Sequence, residues 1–282
     1  MMKKGSKGSA FLKRALTTVV GLPVVIFLVL QGGTPLLIIC GLLALVGLRE
    51  FYIAFSGHDR ALHIIGYVFT GLYFGAIYFF GAGYWLLIAL TLFIITVQSS
   101  LVIFYKNLSF KEVVSTVYGF LYVPFLFSFI VLVREHYLGA FYIWLILIAA
   151  FGCDTFAYLT GSAFGKRKLK GSPSPSKSYE GLIGGIIGAT VLGLLYGLLV
   201  THFFDTDVIS HIIIIAPIVC FFGAIFSIIG DMAASAVKRF CDIKDFGDVF
   251  PGHGGVLDRV DSVIIVAPVV YAIVNIVYRL FF

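Results

Sequence analysis

The run Ile212-Ile-Ile-Ile-Ala-Pro217-Ile-Val-Cys220-Phe-Phe-Gly-Ala-Ile-Phe-Ser-Ile-Ile-Gly230-Asp231 decides the fold. It holds no charge until Asp231, and a helix of that length crosses a hydrocarbon core about 30 Å thick. Directly after it the composition changes. Residues 235–261 carry five aspartates, two lysines, two arginines and the turn Pro251-Gly252-His253-Gly254-Gly255, in a chain that is only 12% charged. Such a polar island is unfavourable beside lipid, so chemistry is expected there.

Similar apolar runs recur outward from this one. The chain has 282 residues, 60% of them hydrophobic. A soluble domain is nearer half apolar and a quarter charged. The pattern predicts an all-α, polytopic transmembrane helical bundle of about nine spans. They run over 15–31, 34–50, 61–80, 84–104, 112–133, 138–163, 181–203, 210–236 and 259–282. Residues 1–140 form an N-terminal transmembrane region of about five spans. Residues 141–282 form a C-terminal catalytic region with two polar loops. Lysines precede the first apolar run and no small-residue cleavage site follows, so the first helix reads as uncleaved.

Loop charges test this layout. All but two of the 20 Lys and Arg, Arg134 and Arg279, fall on the N-terminus and on loops 2/3, 4/5, 6/7 and 8/9. The positive-inside rule then places the N-terminus and both long polar loops in the cytoplasm. That layout predicts an integral protein of the inner (cytoplasmic) membrane with its site facing the cytosol. The net charge of +6 is accounted for by orientation in the membrane, and no nucleic-acid partner is expected. The four cysteines lack metal-ligand spacing, and three lie in apolar runs where Cys acts as a small hydrophobe.

Four constellations carry chemistry. Asp231 ends an apolar run, and Asp258 and Asp261 share a face if helical. Carboxylates around one cavity suit a hard cation such as Mg²⁺, held with substrate phosphates. Pairing with Arg239 and Arg259 is the structural alternative. The glycine turn around His253 offers backbone N–H groups at a helix start, where an anion could sit. The loop from Lys166 through Ser176, Lys177 and Ser178 suits a triphosphate or a lipid phosphate. Positive-inside charge explains Lys166 to Lys170 equally well, and Ser178 and Glu180 also read as a helix cap. Asp154 lies deep in its span, so it should face the bundle interior or a wet cavity. Gly184-Gly185-x-x-Gly188 reads as close helix contact, because no strand precedes it.

The string Ser235-x-x-Lys238-Arg239-x-x-x-x-Lys244-Asp245, followed by His253-Gly254-Gly255-x-x-Asp258-Arg259-x-Asp261, resembles the signature of phosphatidate cytidylyltransferases, or CDP-diacylglycerol synthases. Asp154-Thr155-x-Ala-Tyr158, Phe164-Gly165-Lys166 and Ser174-Pro175-x-Lys177-x-x-Glu180-Gly181 resemble the same family. Ser178 stands where threonine is more usual, and Glu50-Phe51-Tyr52 also fits. The resemblance implies that CTP and phosphatidate give CDP-diacylglycerol and pyrophosphate with Mg²⁺, a second cation being left open. It implies catalysis by Asp231, Asp258, Asp261, Lys238 and His253, with the three aspartates as metal ligands. Lys177, Ser176, Ser178, Arg239, Arg259, Lys166 and Asp154 would line the substrates. Partners are then CTP, phosphatidate and membrane lipid, and a homodimer is allowed. A transporter would show paired repeats, of which none is visible. A CDP-alcohol phosphotransferase would carry Asp-Gly-x-x-Ala-Arg, which is lacking. A CTP-dependent lipid kinase differs in releasing CDP.

Overall fold

Apolar length and local capping residues set the elements of the computed structural model, which describes residues 21, 23–56, 62–204, 211–249 and 254–281. Among these residues eight helices are long and apolar enough to cross a bilayer. They are α1 (Gly33–Ser56), α2 (His63–Phe80), α3 (Tyr84–Ile103), α4 (Phe110–Glu135), α5 (Gly139–Phe164), α6 (Tyr179–Phe203), α7 (Ile212–Phe240) and α8 (Leu257–Phe281). The protein is an integral membrane helical bundle, as the hydropathy pattern predicts. Of the expected first span, residues 21 and 23–31 are helical and the others lie outside the described residues.

Two helices, α1 ending at Ser56 and α7 ending at Phe240, run furthest beyond the expected bounds, and both extensions matter. Helix α1 continues past residue 50, so Glu50 sits inside it. Helix α7 continues through the alanine-rich stretch after Asp231 and carries Lys238 and Arg239 in its last turn, where cations oppose the negative end of the helix dipole. Asp242 then takes φ 54°, a left-handed residue that ends the helix. Local chemistry fixes the starts. Ser109 and Glu112 form a capping box at α4, and Ser178 Oγ accepts the Gly181 N–H at 3.2 Å at the head of α6. Two π-helical turns interrupt long helices. Leu121–Phe125 in α4 accommodates Pro124, and Ile148–Gly152 in α5 immediately precedes Cys153 and Asp154.

The chain divides into two compact units: residues 1–132 with 241–260, and residues 133–240 with 261–282. In the first unit α1, α2 and α4 enclose Leu48, Phe51, Tyr52, Tyr73, Phe93 and Phe120. Phe93 stacks on Phe120 at 4.2 Å, and Tyr73 meets Phe120 edge-on. In α3 only Phe93 and Val97 are buried, which suits a helix facing lipid.

In the second unit α6 packs tightly between α5 and α7 along its small residues. A methyl on Gly185 would lie 2.8 Å from the Cys153 carbonyl, and one on Gly197 would lie 3.0 Å from that of Ile212. The glycine row is therefore a packing seam, as expected from its spacing. Helix α8 approaches α7 in the same manner: a methyl on Gly230 would come within 2.8 Å of the Asp261 carbonyl. That contact brings Asp231, the next residue on α7, near Asp261 on α8.

Candidate active site

The second unit gathers a polar cluster from four elements. Lys177, just ahead of α6, places Nζ 2.5 Å from Asp231 Oδ2 on α7. This oxygen is buried, and the contact is an ion pair without the alignment of a hydrogen bond. Asp261 on α8 lies within electrostatic reach of Asp231, Lys238 and Asp154. Asp154 on α5 interacts in turn with Lys177 and Asp231. Three carboxylates share this cluster with two lysine ammonium groups. Apolar packing closes beneath them: Cys153, Ala189, Ala224 and Ile228 form a buried cluster with Met232 against it.

The backbone of the loop ahead of α6 is strapped in place. Lys168 and Ser178 form an antiparallel bridge, with the Leu169 N–H donating to the Lys177 carbonyl at 3.0 Å. The Tyr179 N–H donates to the Arg167 carbonyl at 3.0 Å, and both Glu180 carboxylate oxygens accept the Arg167 N–H at 3.2 Å. Lys168 Nζ donates to the Ser176 carbonyl. Lys177 is thus presented from a fixed backbone rather than a floppy loop.

In the first unit the polar turn is built differently. Asp258 Oδ2 accepts the Phe246 N–H at 2.7 Å and the Gly255 N–H at 3.0 Å. Glu50 Oε1 accepts the Val256 N–H and Oε2 the Leu257 N–H, each at 2.9 Å. Gly254 takes φ 85°, the left-handed backbone that the glycine-rich sequence suggests. Of the expected phosphate nest, residues 251–253 lie outside the described residues. The N–H groups of residues 255, 256 and 257 at the head of α8 are occupied by two of the protein's own carboxylates, and so are not open to a phosphate.

The sequence-derived candidates therefore sort unevenly. Asp154, Lys177, Asp231, Lys238 and Asp261 come together in one unit. Asp154 is solvent-accessible and lies within electrostatic reach of Lys177 and Asp231. Asp258 and Arg259 belong to the first unit; Asp258 is half-buried and Arg259 exposed. Lys166, Ser176 and Arg239 are exposed, whereas the Ser178 side chain is buried in its capping role. His253 lies outside the described residues. Glu50 is the residue that sequence reading undervalued. Its one signal in the sequence was the resemblance of Glu50-Phe51-Tyr52 to the family pattern.

Among the described residues no three His, Cys, Asp or Glu side chains gather into a metal cage. The donor set nevertheless fits Mg²⁺, which commonly takes one or two carboxylates and completes its shell with water and substrate phosphates. Asp231 and Asp261 supply such a pair.

These features define a polytopic membrane protein with a cluster of acidic and basic side chains in its second unit. The chain belongs to the Cytidylyltransferase family, which it matches over residues 12–277. It is 38% identical over 169 residues to a phosphatidate cytidylyltransferase of Thermotoga maritima, covering 59% of this chain and 61% of that one. It is 38% identical over 152 residues to the Haemophilus influenzae protein of the same name, covering 52% and 51%. These two matches span between half and two-thirds of the relatives' length. A phosphatidate cytidylyltransferase of Bacillus subtilis is 30% identical over 269 residues, covering 92% of this chain and 96% of that one.

Proposed function

We propose that this protein transfers a cytidylyl group from CTP to phosphatidate, forming CDP-diacylglycerol and pyrophosphate for phospholipid synthesis. Membership of the family supports the nucleotidyl transfer, and the names of the relatives support the lipid acceptor. The carrying observation is the cluster of Asp154, Lys177, Asp231, Lys238 and Asp261 in a membrane-spanning unit. The basic loops point to the cytoplasmic face, where CTP is available, and to the cytoplasmic membrane.

A phosphatidate phosphate oxygen attacks the α-phosphorus of CTP. A new P–O bond forms, the bond from the α-phosphorus to the bridging oxygen breaks, and pyrophosphate leaves with that electron pair. Both reactants are anions, so the protein's task is to position them and offset their charge. Lys177 and Lys238 offset phosphate charge from within the cluster. Asp231 and Asp261 are the residues that would hold Mg²⁺, and a bound Mg²⁺ supplies charge neutralisation at the phosphates. Asp258 holds the turn at the head of α8 and belongs to the catalytic set through the family pattern. The strap over residues 167–180 keeps Lys177 at the cluster while the acyl chains remain in the bilayer.

The direct test is an assay of purified protein in detergent with labelled CTP, phosphatidate and Mg²⁺. The expected products are CDP-diacylglycerol and pyrophosphate in equal amounts. Release of CDP in place of pyrophosphate would make the protein a lipid kinase and end this reading.

A further inference from the structure

Glu50 lies on α1, far in sequence from the polar turn, yet it is the turn's principal anchor. Its two carboxylate oxygens take the Val256 and Leu257 N–H groups, at separations of 206 and 207 residues, and both bonds are buried. These donors belong to the opening of α8, where helix N–H groups have no partner within the helix. The Glu50 side chain is 6% exposed, so water does not compete for them. The neighbouring backbone is shaped around the carboxylate. A methyl on Gly255 would lie 2.5 Å from Glu50 Oε2, and one on Gly247 would lie 2.6 Å from Oε1. Asp258 completes the arrangement by tying Phe246 to Gly255 through one oxygen. Glu50 and Asp258 thus fix three consecutive N–H groups and both ends of the segment between Phe246 and Gly255.

We infer that Glu50 is a positioning residue for the transfer reaction: accepting the Val256 and Leu257 N–H groups at the head of α8 from α1, it fixes the backbone that carries Asp258. This deepens the proposed function and rests on it for the role of Asp258. Glu50 makes no contact with a reacting group and acts only through the turn. A carboxylate is required at this place. Glutamine can accept one of the two bonds, but its amide nitrogen then faces the other N–H, donor against donor. A buried N–H left without an acceptor disfavours the present turn. A displacement near 1 Å at a reacting group costs about 100-fold in rate.

The test compares full-length wild type, E50Q, E50D and G255A in detergent, using only monodisperse protein. Amide hydrogen exchange is followed over residues 241–260, alongside kcat and the KM for CTP. Exchange in that segment should rise at least about tenfold in E50Q, with the other helices unchanged. Its kcat should fall about 10- to 100-fold while the KM for CTP shifts less than about threefold. G255A, which displaces the same carboxylate from the opposite side, should reproduce both effects, and E50D should recover part of each. E50Q with kcat within twofold of wild type would overturn the inference. So would a fall in kcat without local loosening. An active D258N variant would remove Asp258 from the reaction and overturn the inference, whereas wild-type protein that forms no CDP-diacylglycerol would end the proposed function instead.

Discussion

Lys177 and Asp231 meet across a loop and a spanning helix, Nζ to Oδ2, with both side chains only partly shielded from solvent. At such exposure an ion pair contributes at most about 1 kcal/mol to folding. Its value therefore lies in what it prepares. On the proposed function the lysine offsets phosphate charge, and its ammonium group lies within electrostatic reach of both Asp231 and Asp154.

Lys177→Ala should fold normally and lose about 100-fold in kcat/KM for CTP, because a charge-assisted contact to phosphate is removed. Lys177→Arg should recover part of the loss, since it keeps the charge with a different reach. Steady-state kinetics beside a thermal melt separates the two effects. A matched fall in melting temperature and activity would return Lys177 to a structural role.

Chelation should stop turnover, and added Mg²⁺ should restore it. Asp231→Asn and Asp261→Asn should each lower kcat by about 10²- to 10³-fold and move the Mg²⁺ dependence to higher concentration. The measurement is rate against free Mg²⁺ for each variant. A curve that overlays the wild type would remove that carboxylate from the metal site.

Gly230 allows α7 and α8 to approach closely enough for Asp231 and Asp261 to act together. Gly230→Ala sets a methyl against the Asp261 carbonyl, a backbone atom that yields poorly. The expected destabilisation is about 1–3 kcal/mol, with activity falling further than stability accounts for. Comparing turnover per folded molecule for Gly230→Ala and Gly184→Ala checks this, since Gly184 faces the side chain of Thr160.

Cys241 lies just past α7, outside the spanning segments, and is partly buried. Burial pushes its thiol above the ordinary range, Asp242 adds to the rise, and Lys111 opposes it. A raised value means less thiolate at neutral pH. Alkylation of Cys241 should therefore be slow at pH 7 and accelerate as pH climbs beyond the usual thiol range. Mass-spectrometric labelling against pH reads this directly. Rapid labelling at pH 7 would contradict the environment described for the loop.

The spans were legible because hydropathy is a local, additive property. Ile212–Gly230 cannot be covered except by lipid or protein, whatever surrounds it. The glycine row on α6 was legible for a similar reason, since its spacing fixes one face of a helix. The charged cluster was legible in part. Asp231, Asp261, Lys177 and Asp154 stood out as polar residues in or beside apolar helices. The glycine turn was legible as a turn, but a sequence that offers free N–H groups at residues 255–257 does not show which acceptor will fill them. Glu50 fills two, and no pattern within α1 announces it.

By itself, then, the sequence determined a helical membrane protein, its spanning segments and the residue types available for phosphate chemistry. Tertiary structure alone decided that Lys177 pairs with Asp231, that Gly230 sets α7 against α8, and that Glu50 closes the head of α8. The physical reason is range. Burial and helix formation are governed by neighbours a few residues away, whereas a carboxylate's partner is chosen by which backbone the fold carries to it, here from more than two hundred residues along the chain.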